Sequence, residues 1–267
     1  MKKITLLISL FSSISFASGN SEITDNIAAK LKLIHAEKFD NVRVQPSLMD
    51  GYYQVLFKNG TKIYVDKDVT KVISGNLIKV EDNQLLNITE QENRIRNSKI
   101  IADLATKYKE TLVHYPAKKE KITTLYVFSD FTCPYCKKFH NELNQLTASG
   151  VEVYYIPFPK ASMSDTRVVK GLQRIICEDD KQKAFDEAFA NPKKYALDSM
   201  SMDMKCSQAV DILAFHNYAD LLGVNGTPTM YTDKGSKIVG FNAIQSFGLE
   251  LRMALEGEAG WKDKDLK

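Results

Sequence analysis

Two cysteines separated by two residues, Cys133 and Cys136, form the pattern in this sequence with the clearest chemical consequence. The segment before them, 124–129, is rich in β-branched and aromatic residues, which is typical of a buried strand. After them, apolar residues recur at spacings of four and three from Phe139 to Leu146, as on one face of a helix. The pair is therefore predicted to lie where a strand passes into a helix.

The start of a helix favours a thiolate, because backbone N–H groups there lack partners and the helix dipole places partial positive charge there. Cys133 is therefore predicted to have a lowered pKa and to be the nucleophile. Cys136, one turn into the helix, can reach Cys133 and close a disulfide. Pro134 suits the first helical position, where an N–H has no partner anyway. We expect Cys133 and Cys136 to be a catalytic, redox-active dithiol.

Metal and haem chemistry are weaker interpretations of the cysteines. Half of a zinc site is disfavoured, because no second Cys-x-x-Cys and no paired histidines follow. Haem attachment needs a histidine directly after the second cysteine, where this chain has Lys137. Thioether and thiolate ligands suit Cu(I), but a surface loop rich in small and polar residues also produces the alternating Met200, Met202, Met204 and Cys206. We expect no metal and no cofactor.

The N-terminus, residues 1–17, has the parts of a secretory signal peptide. Two lysines precede an apolar run over 4–10, and Ser15 and Ala17 are small residues at the −3 and −1 positions of a cleavage site. The apolar run is too short to span a bilayer. Export to an oxidising compartment would let disulfides persist. Removing the signal takes two lysines and no acid, so the net charge falls from +3 to +1, which gives no support to nucleic-acid binding.

The segment 18–88 predicts a small α+β domain. Asn59-Gly60 between two apolar runs is a strong hairpin signal. So small a domain has a marginal core alone, and we expect an edge strand to pair with a second copy to give a homodimer. The predicted elements are a helix over 21–35 capped by Ser21 and strands over 42–44, 52–57, 61–65 and 72–80.

The rest of the chain predicts a linker helix and a second domain. Thr89 and Glu92 form a capping box that opens a polar helix, so a linker is expected over 89–113. From 114 to 267 the order is α/β, with helices inserted at about 160–205. The predicted elements are strands over 124–129, 151–156 and 237–241, a strand entered through Thr229-Met230-Tyr231, and helices over 164–176, 180–190, 207–222 and 243–256.

Together these features resemble the DsbC/DsbG family of periplasmic disulfide isomerases, over essentially the whole mature chain. The resemblance implies a thioredoxin-like catalytic domain with a helical insertion, preceded by a cystatin-like α+β dimerisation domain and a linker helix. It is carried by residues 124–139, by Gly226-Thr227-Pro228, and by Tyr64-Val65 and Ile73-Ser74-Gly75 in the preceding sheet.

The resemblance also implies roles for residues around the dithiol. The peptide bond before Pro228 should be cis and lie beside the nucleophile, where a backbone edge can receive an unfolded substrate as a strand. Thr227, Pro228, Pro134 and Tyr135 are thus expected to contact substrate.

Two further features of the resemblance point to different branches of the family. Cys177 and Cys206 match the structural disulfide of the DsbC branch, and closing their loop of 29 residues (206 − 177) contributes roughly 3.5 kcal/mol in the chain-entropy model. The Pro134-Tyr135 pair between the active cysteines is also found in the DsbG branch. Cys177 and Cys206 therefore favour the DsbC branch, whereas Pro134-Tyr135 favours the DsbG branch.

The activity implied is reduction and isomerisation of non-native disulfides in misoxidised exported proteins, with chaperone activity, in the periplasm of a Gram-negative bacterium. The membrane reductase DsbD would keep the homodimer reduced. The alternative is a DsbG-like holdase that reduces protein cysteine sulfenic acids. A monomeric DsbA-like oxidase is disfavoured by the N-terminal domain.

One position departs from thioredoxin, which has a buried acid six residues before the first cysteine. Here that position is Val127, so the buried proton acceptor is missing or water replaces it. DsbC-like proteins also lack the acid. Asp130 has the opposite strand parity and is not assigned this role. His140, four residues after Cys136, is a candidate for tuning the dithiol, whereas solvated faces account for the histidines as a group, including His35, His114 and His216.

Overall fold

The computed structural model describes residues 18–58, 60–81, 83–159, 166–196 and 212–259. Its backbone contacts divide the chain into two compact units, with the division after Gly75. Unit 1 is the N-terminal part and unit 2 begins at Asn76. Within the described residues, no helix has the length and apolar character that crossing a membrane requires.

Unit 1 is one helix against an antiparallel sheet. Its small core consists of Ile27 and Leu31 from the helix with Phe39, Val55 and Val65. The sheet order is β1-β2-β3-β4, with β2 and β3 paired from Tyr52↔Asp66 to Leu56↔Lys62. The elements are α1 (Ser18–Ile34), β1 (Arg43–Pro46), β2 (Tyr52–Leu56), β3 (Lys62–Asp66) and β4 (Val72–Ile73).

Two details of unit 1 differ from the sequence prediction. Ser21 lies inside α1 and its carbonyl accepts a hydrogen bond from the Thr24 hydroxyl, so Ser21 is not the cap. The predicted strand over 72–80 is interrupted: β4 ends at Ile73, and β5 (Ile78–Glu81) pairs instead with β6 (Gln84–Asn87) as a separate hairpin. Gly75, with φ of +129°, lies where the chain leaves the first sheet.

Unit 2 is built on a mixed sheet whose described strands run in the order β11-β10-β8-β9-β7. The strand β8 pairs in parallel with β9 and antiparallel with β10, so it is central. The strands are β7 (Val113–Tyr115), β8 (Thr123–Ser129), β9 (Val151–Pro157), β10 (Thr229–Thr232) and β11 (Lys237–Val239). The helices are α2 (Ile88–Tyr108), α3 (Pro134–Asn141), α4 (Leu143–Ala148), α5 (Thr166–Cys177), α6 (Lys181–Ala190), α7 (Pro192–Tyr195), α8 (Ile212–Leu222) and α9 (Ile244–Ala259).

The start of α2 is not the predicted capping box. The side chain of Asn87 caps the helix by accepting a hydrogen bond from the Glu90 N–H at 3.0 Å. The Thr89 hydroxyl instead accepts from the Leu77 N–H at 2.8 Å. The stronger local cap thus starts the helix two residues earlier and leaves the threonine for a contact that ties β5 to α2.

The helix α2, predicted as a polar linker, is an integral part of unit 2. Ile101 and Leu104 are completely or almost completely buried in its core. Asn97 donates to the Gly235 carbonyl at 3.1 Å, and the Tyr218 hydroxyl donates to Asp103. Few apolar residues face the core, so the composition looked like that of a connector, but polar side chains supply much of the packing.

The predicted helix running from Phe139 to Leu146 is two helices that share an apolar face. At Glu142 the backbone leaves helical geometry, with φ of −93° and ψ of 1°, and α4 begins at the next residue. Phe139, Leu143 and Leu146 are all buried, so the predicted inward face is confirmed although the helix is interrupted.

Gly235 offers a test of how tightly α2 packs on the β10–β11 turn. Gly235 and Gly240 both have positive φ, at +88° and +81°, but only at Gly235 would a Cβ meet another element, 2.1 Å from the Arg94 carbonyl oxygen. We expect Gly240→Ala to lower the free energy of unfolding by about 1–2 kcal/mol through backbone strain. Gly235→Ala should cost roughly 1–3 kcal/mol more through overpacking. Urea unfolding followed by circular dichroism measures both, and equal losses would contradict the packing described.

Candidate dithiol site

The turn that ends β8 fixes where the first cysteine lies. Asp130, only 1% exposed, accepts hydrogen bonds at Oδ1 from the Thr132 N–H at 2.7 Å and from its hydroxyl at 2.6 Å. Its carbonyl accepts from the Cys133 N–H at 3.0 Å. This side-chain turn explains a residue that the sequence analysis set aside. An aspartate two residues before a threonine in a loop was the available signal.

Cys133 lies at the start of α3, as the sequence predicts, and is the N-cap of that helix. Its backbone is extended, with φ of −79° and ψ of 123°, and its carbonyl accepts from the Lys137 N–H at 3.0 Å. Pro134 occupies the first turn. The Cys133 side chain is 5% exposed. The thiol is thus at the positive end of the helix and close to the surface.

The loop before β10 lies directly against Cys133. The Thr227–Pro228 peptide bond is cis, as the resemblance implies. Cys133 Sγ lies 3.3 Å from the Thr227 carbonyl oxygen. The Thr227 hydroxyl is buried as well. The cis bond and the cysteine that the sequence analysis placed together are therefore in contact.

The two thiols differ strongly in acidity. The pKa of Cys133 is lowered to about 5, chiefly because the Cys136 thiol donates a hydrogen bond to the thiolate, with further help from the Thr227 hydroxyl and from the backbone N–H groups of Cys136 and Tyr135. Partial burial opposes this. The aligned backbone N–H groups act in the same direction as the helix dipole.

Cys136 has the opposite environment. It is completely buried, and burial raises its pKa far above the usual value, as does its hydrogen bond to Cys133. The Asp130 backbone and the Ser129 hydroxyl oppose that rise only partly. At neutral pH the arrangement therefore holds a thiolate at Cys133, with a small part of its surface exposed, beside a completely buried thiol at Cys136. Such a pair can attack a disulfide with the first sulfur and release the product with the second.

The four residues expected to contact substrate fall into two pairs. Pro134 and Tyr135 are exposed, and the Lys138 ammonium lies 5.4 Å from the centre of the Tyr135 ring. Thr227 and Pro228 are buried beneath Cys133. The Pro228 carbonyl already accepts from the Gly240 N–H at 2.8 Å. The exposed pair follows Cys133 in the chain, and the buried pair contacts its sulfur through the Thr227 carbonyl.

The other two cysteines are only partly described. Cys177, at the end of α5, is disulfide-bonded. Cys206, its predicted partner, lies outside the described residues, as do Met200, Met202 and Met204. The pairing of Cys177 with Cys206 stays a prediction, which peptide mapping without a reductant can test.

The prediction that the histidines lie on solvated faces is wrong for three of the four, which are partly buried. Only His35 is fully on the surface. His114 stacks on Tyr154 with ring centres 4.2 Å apart, and His216 packs against Phe158 at 4.7 Å. His140 is the most enclosed, with a side chain 11% exposed and hydrogen-bonded on both ring nitrogens. Their partners are distant in sequence, so no local spacing could have revealed them.

Two family models match the chain. A thioredoxin-like domain model matches residues 108–253, and a model of the disulfide bond isomerase N-terminal domain matches residues 17–90. The first covers unit 2 from the end of α2 to the middle of α9. The fold is therefore a thioredoxin-like domain with inserted helices, preceded by an isomerase-type N-terminal domain.

Relatives of known name match over nearly the full length. The thiol:disulfide interchange protein DsbC of Pasteurella multocida is 31% identical, over 90% of this chain and 95% of that protein. The DsbC of Dickeya dadantii is 30% identical over 90% and 91%, and that of Escherichia coli is 28% identical over 90% and 92%.

Among solved structures, a disulfide interchange protein from Neisseria gonorrhoeae is 22% identical, over 55% of this chain and 96% of that one, with a TM-score of 0.43. That likeness is too low to support an assignment, which rests on the family models and the full-length relatives. The chain belongs to the DsbC family of thiol:disulfide interchange proteins.

Proposed function

We propose that this protein reduces and isomerises non-native disulfides of exported proteins through Cys133 and Cys136. The observation that carries the proposal is the difference between the two sulfurs: an acidic thiol at the helix N-terminus and a buried thiol one turn below it. The membership of the DsbC family supports the same activity.

In the first step the Cys133 thiolate attacks one sulfur of a substrate disulfide. A mixed disulfide forms, the substrate S–S bond breaks, and the other substrate sulfur leaves as a thiolate that takes a proton from solvent. In isomerisation a different substrate thiolate attacks the substrate sulfur held by Cys133. A new substrate disulfide forms, Cys133 leaves as a thiolate, and nothing is oxidised or reduced overall.

In reduction Cys136 resolves the mixed disulfide. Its sulfur attacks the sulfur of Cys133, the two cysteines become a disulfide, and the substrate leaves reduced, having gained two electrons. The oxidised protein then needs a dithiol reductant before it can act again. We assign that role to the membrane reductase DsbD, which the family resemblance implies, and no dissociable cofactor is required.

Substrate would lie across Pro134 and Tyr135 on one side of Cys133 and along the Thr227–Pro228 loop on the other. Tyr135, with 47% of its surface exposed, offers an aromatic face to an unfolded chain. The contact of the Thr227 carbonyl with Cys133 Sγ brings the loop backbone within reach of the residues that flank a bound substrate sulfur.

The setting proposed is the periplasm of a Gram-negative bacterium, supported by the signal-like residues 1–17 and by the DsbC relatives. The assembly proposed is a homodimer formed through 18–88, which would also provide chaperone activity by holding an unfolded chain between two copies. The surface of unit 1 supports this, because Leu33, Ile34 and Val72 are 88%, 65% and 57% exposed. Because the core of unit 1 is small, burying these apolar residues against a second copy would stabilise it.

A second candidate is a DsbG-like holdase that reduces cysteine sulfenic acids of proteins. The Pro134-Tyr135 pair favours it, and the DsbG of Escherichia coli is 24% identical over 86% of this chain and 89% of that protein. In that reaction the Cys133 thiolate attacks the sulfenic sulfur, a mixed disulfide forms, and hydroxide leaves and is protonated to water. Cys136 then resolves it as before.

Refolding of a scrambled multi-disulfide protein tests the proposed function directly. The wild-type protein in a glutathione buffer should restore the activity of the scrambled protein, and Cys133→Ser should abolish this, because it removes the nucleophile. Cys136→Ser should accumulate mixed disulfides that non-reducing gels detect. A wild-type protein that prevents aggregation and reduces sulfenic acids, but restores no activity, would favour the second candidate.

The acidity of Cys133 gives a prediction with a matched pair of variants. The rate of iodoacetamide alkylation at Cys133 should rise with pH around a midpoint of about 5, because only the thiolate reacts. Cys136→Ala removes the largest stabilising hydrogen bond and should raise that midpoint. At a pH below both midpoints, each unit by which the pKa of Cys133 increases slows its alkylation about tenfold. Cys136→Ser keeps a donor and should stay close to wild type. Identical profiles for the two variants would contradict the role given to Cys136.

The dimer has its own test in a fragment that begins at Asn76, where unit 2 starts with its own core. Light scattering of residues 18–267 should give twice the chain mass, and the fragment should be a monomer. The fragment should keep Cys133 alkylation and insulin reduction but lose most isomerase activity, since isomerisation requires holding the substrate through several exchanges. A full-length monomer at micromolar concentration with full isomerase activity would refute the dimer.

A further inference from the structure

A hydrogen-bonded chain of three side chains leads from the interior of unit 2 to its surface. The Tyr155 hydroxyl, on the buried strand β9, lies 3.2 Å from His140 Nδ1. His140 Nε2 lies 3.1 Å from Asp186 Oδ1, and the Asp186 side chain is 56% exposed. The carboxylate can only accept, so Nε2 carries the proton and Nδ1 accepts from the tyrosine.

The inner end of this chain comes from the strand beside the position at which thioredoxin's sequence has its buried acid. That position here is Val127, and Val127 is the register partner of Tyr155 in the parallel pair β8–β9. Register partners on neighbouring strands have side chains on the same face of the sheet. Tyr155 therefore projects from the same face of the sheet as Val127.

The helix α3 brings the dithiol to the same place. Cys136 and His140 are four residues apart, so they lie one turn apart on the same face of α3. Phe139 is completely buried beside them, with its ring centre 6.1 Å from that of Tyr155. Burial raises the pKa of Tyr155, and the nearby Cys136 sulfur adds to that rise. Cys136 thus faces the inner end of the chain.

Cys136 needs a proton acceptor that its immediate surroundings do not supply. It is completely buried and must lose its proton before it can attack Cys133. The groups that act on it most strongly are the Cys133 sulfur, the Ser129 hydroxyl and the Asp130 backbone, and none of these is a base at neutral pH. A buried thiol with such neighbours resolves a mixed disulfide slowly unless a base is connected to it.

We propose that Tyr155, His140 and Asp186 form the acceptor that takes the Cys136 proton when the mixed disulfide is resolved. The proposal rests on the proposed function and deepens it. The thiol proton moves to the Tyr155 oxygen as Tyr155 passes its own proton to His140 Nδ1. The Cys136–Cys133 bond forms, the bond from Cys133 to the substrate sulfur breaks, and that sulfur leaves as a thiolate.

The charges balance along this route. His140 becomes an imidazolium next to the Asp186 carboxylate and later returns one proton to solvent, while the departing substrate thiolate takes one up. Tyr155 remains neutral throughout, as it must, because burial raises its pKa well above the usual value. The exposed Asp186 is where the chain meets water.

The surroundings of His140 suit an acceptor. Burial lowers its pKa and the Asp186 carboxylate only partly offsets this, so the ring is neutral at neutral pH. The titratable groups that face it are Asp186 from α6, Tyr155 from β9, and Tyr115 from β7, which donates to the same Asp186 oxygen at 2.6 Å. Apolar rings from α6 cover the rest, with Phe189 stacked on it at 4.3 Å.

The experiment is the two-step reaction of the reduced full-length protein with Ellman's reagent in a stopped-flow instrument. The first nitrothiobenzoate is released when Cys133 attacks, and the second when Cys136 resolves the mixed disulfide. Tyr155→Phe keeps the ring and removes only the hydroxyl, and His140→Gln keeps a hydrogen-bonding side chain that cannot take a proton. Both should slow the second step roughly tenfold or more at pH 7 and leave the first within about twofold.

The pH profile separates a proton acceptor from a purely structural contact. In wild type the second step should fall as pH falls through the lowered pKa of His140, since the imidazolium cannot accept. In both variants that inflection should vanish, and the rate should simply rise with hydroxide. Asp186→Asn is on the surface and should fold in any case; it should move the inflection to lower pH by removing the charge that stabilises the imidazolium.

His114→Gln is the matched control, because His114 also pairs with a carboxylate, Glu152, beside the sheet, but is not connected to Tyr155. It should leave both steps unchanged. A second step of wild-type rate and pH profile in Tyr155→Phe and Asp186→Asn would overturn the proposal and leave the dithiol function intact. A wild-type protein that released no nitrothiobenzoate would instead refute the dithiol function itself.

Discussion

The hydrogen bond between the two sulfurs is the interaction on which the site depends. It stabilises the Cys133 thiolate and, by the same contact, holds the proton on Cys136. This hydrogen bond therefore gives two chemically identical side chains different roles: Cys133 is the nucleophile, and Cys136 is the thiol that resolves the mixed disulfide. It has this effect because Cys136 is completely buried, so water does not compete for the proton of its thiol.

The pairing of two central strands of the sheet positions the residues of the site. The strand β8 delivers Cys133, and β10 pairs with β8 in a register that aligns Thr229 with Phe128. The loop just before β10 is thereby brought to the turn just after β8, which places Thr227 on the sulfur. The turn that carries Cys133 and the loop that carries Thr227 adjoin two paired strands, so their spacing is set by the backbone ladder.

How much the sequence could predict depended on how local the signal was. The position of Cys133 at a helix start rests on residues within one strand, turn and helix start, and it was predicted correctly. The capping box at Thr89 was wrong, because Asn87 supplied a competing cap and the threonine hydroxyl found a partner twelve residues away. The isolated hairpin β5–β6 was missed, because nothing in its residues says which sheet it joins.

The burial of His140 depends on a partner further away still. Its carboxylate, Asp186, lies 46 residues later (186 − 140) on a helix of the insert, and its tyrosine comes from a neighbouring strand. The spacing of apolar residues predicts which side of a helix faces inward, but it cannot show that a histidine on that side pairs with a carboxylate from another element. Such pairs follow from how the elements pack, and only the fold reveals them.

The low pKa of Cys133 affects the proposed isomerisation through the release of Cys133 from substrate as well as through its attack on a disulfide. A more acidic thiolate is intrinsically the poorer nucleophile, but it is the better leaving group, and thiol–disulfide exchange depends on both. An isomerase must be displaced by the substrate's own thiol, so its sulfur has to leave readily. A stabilised thiolate also favours the reduced protein over its disulfide, which raises the reduction potential and makes re-reduction by a dithiol donor easier. The acidity that the helix start and Cys136 confer on Cys133 thus favours release of substrate and maintenance of the reduced state, both of which the proposed isomerisation requires.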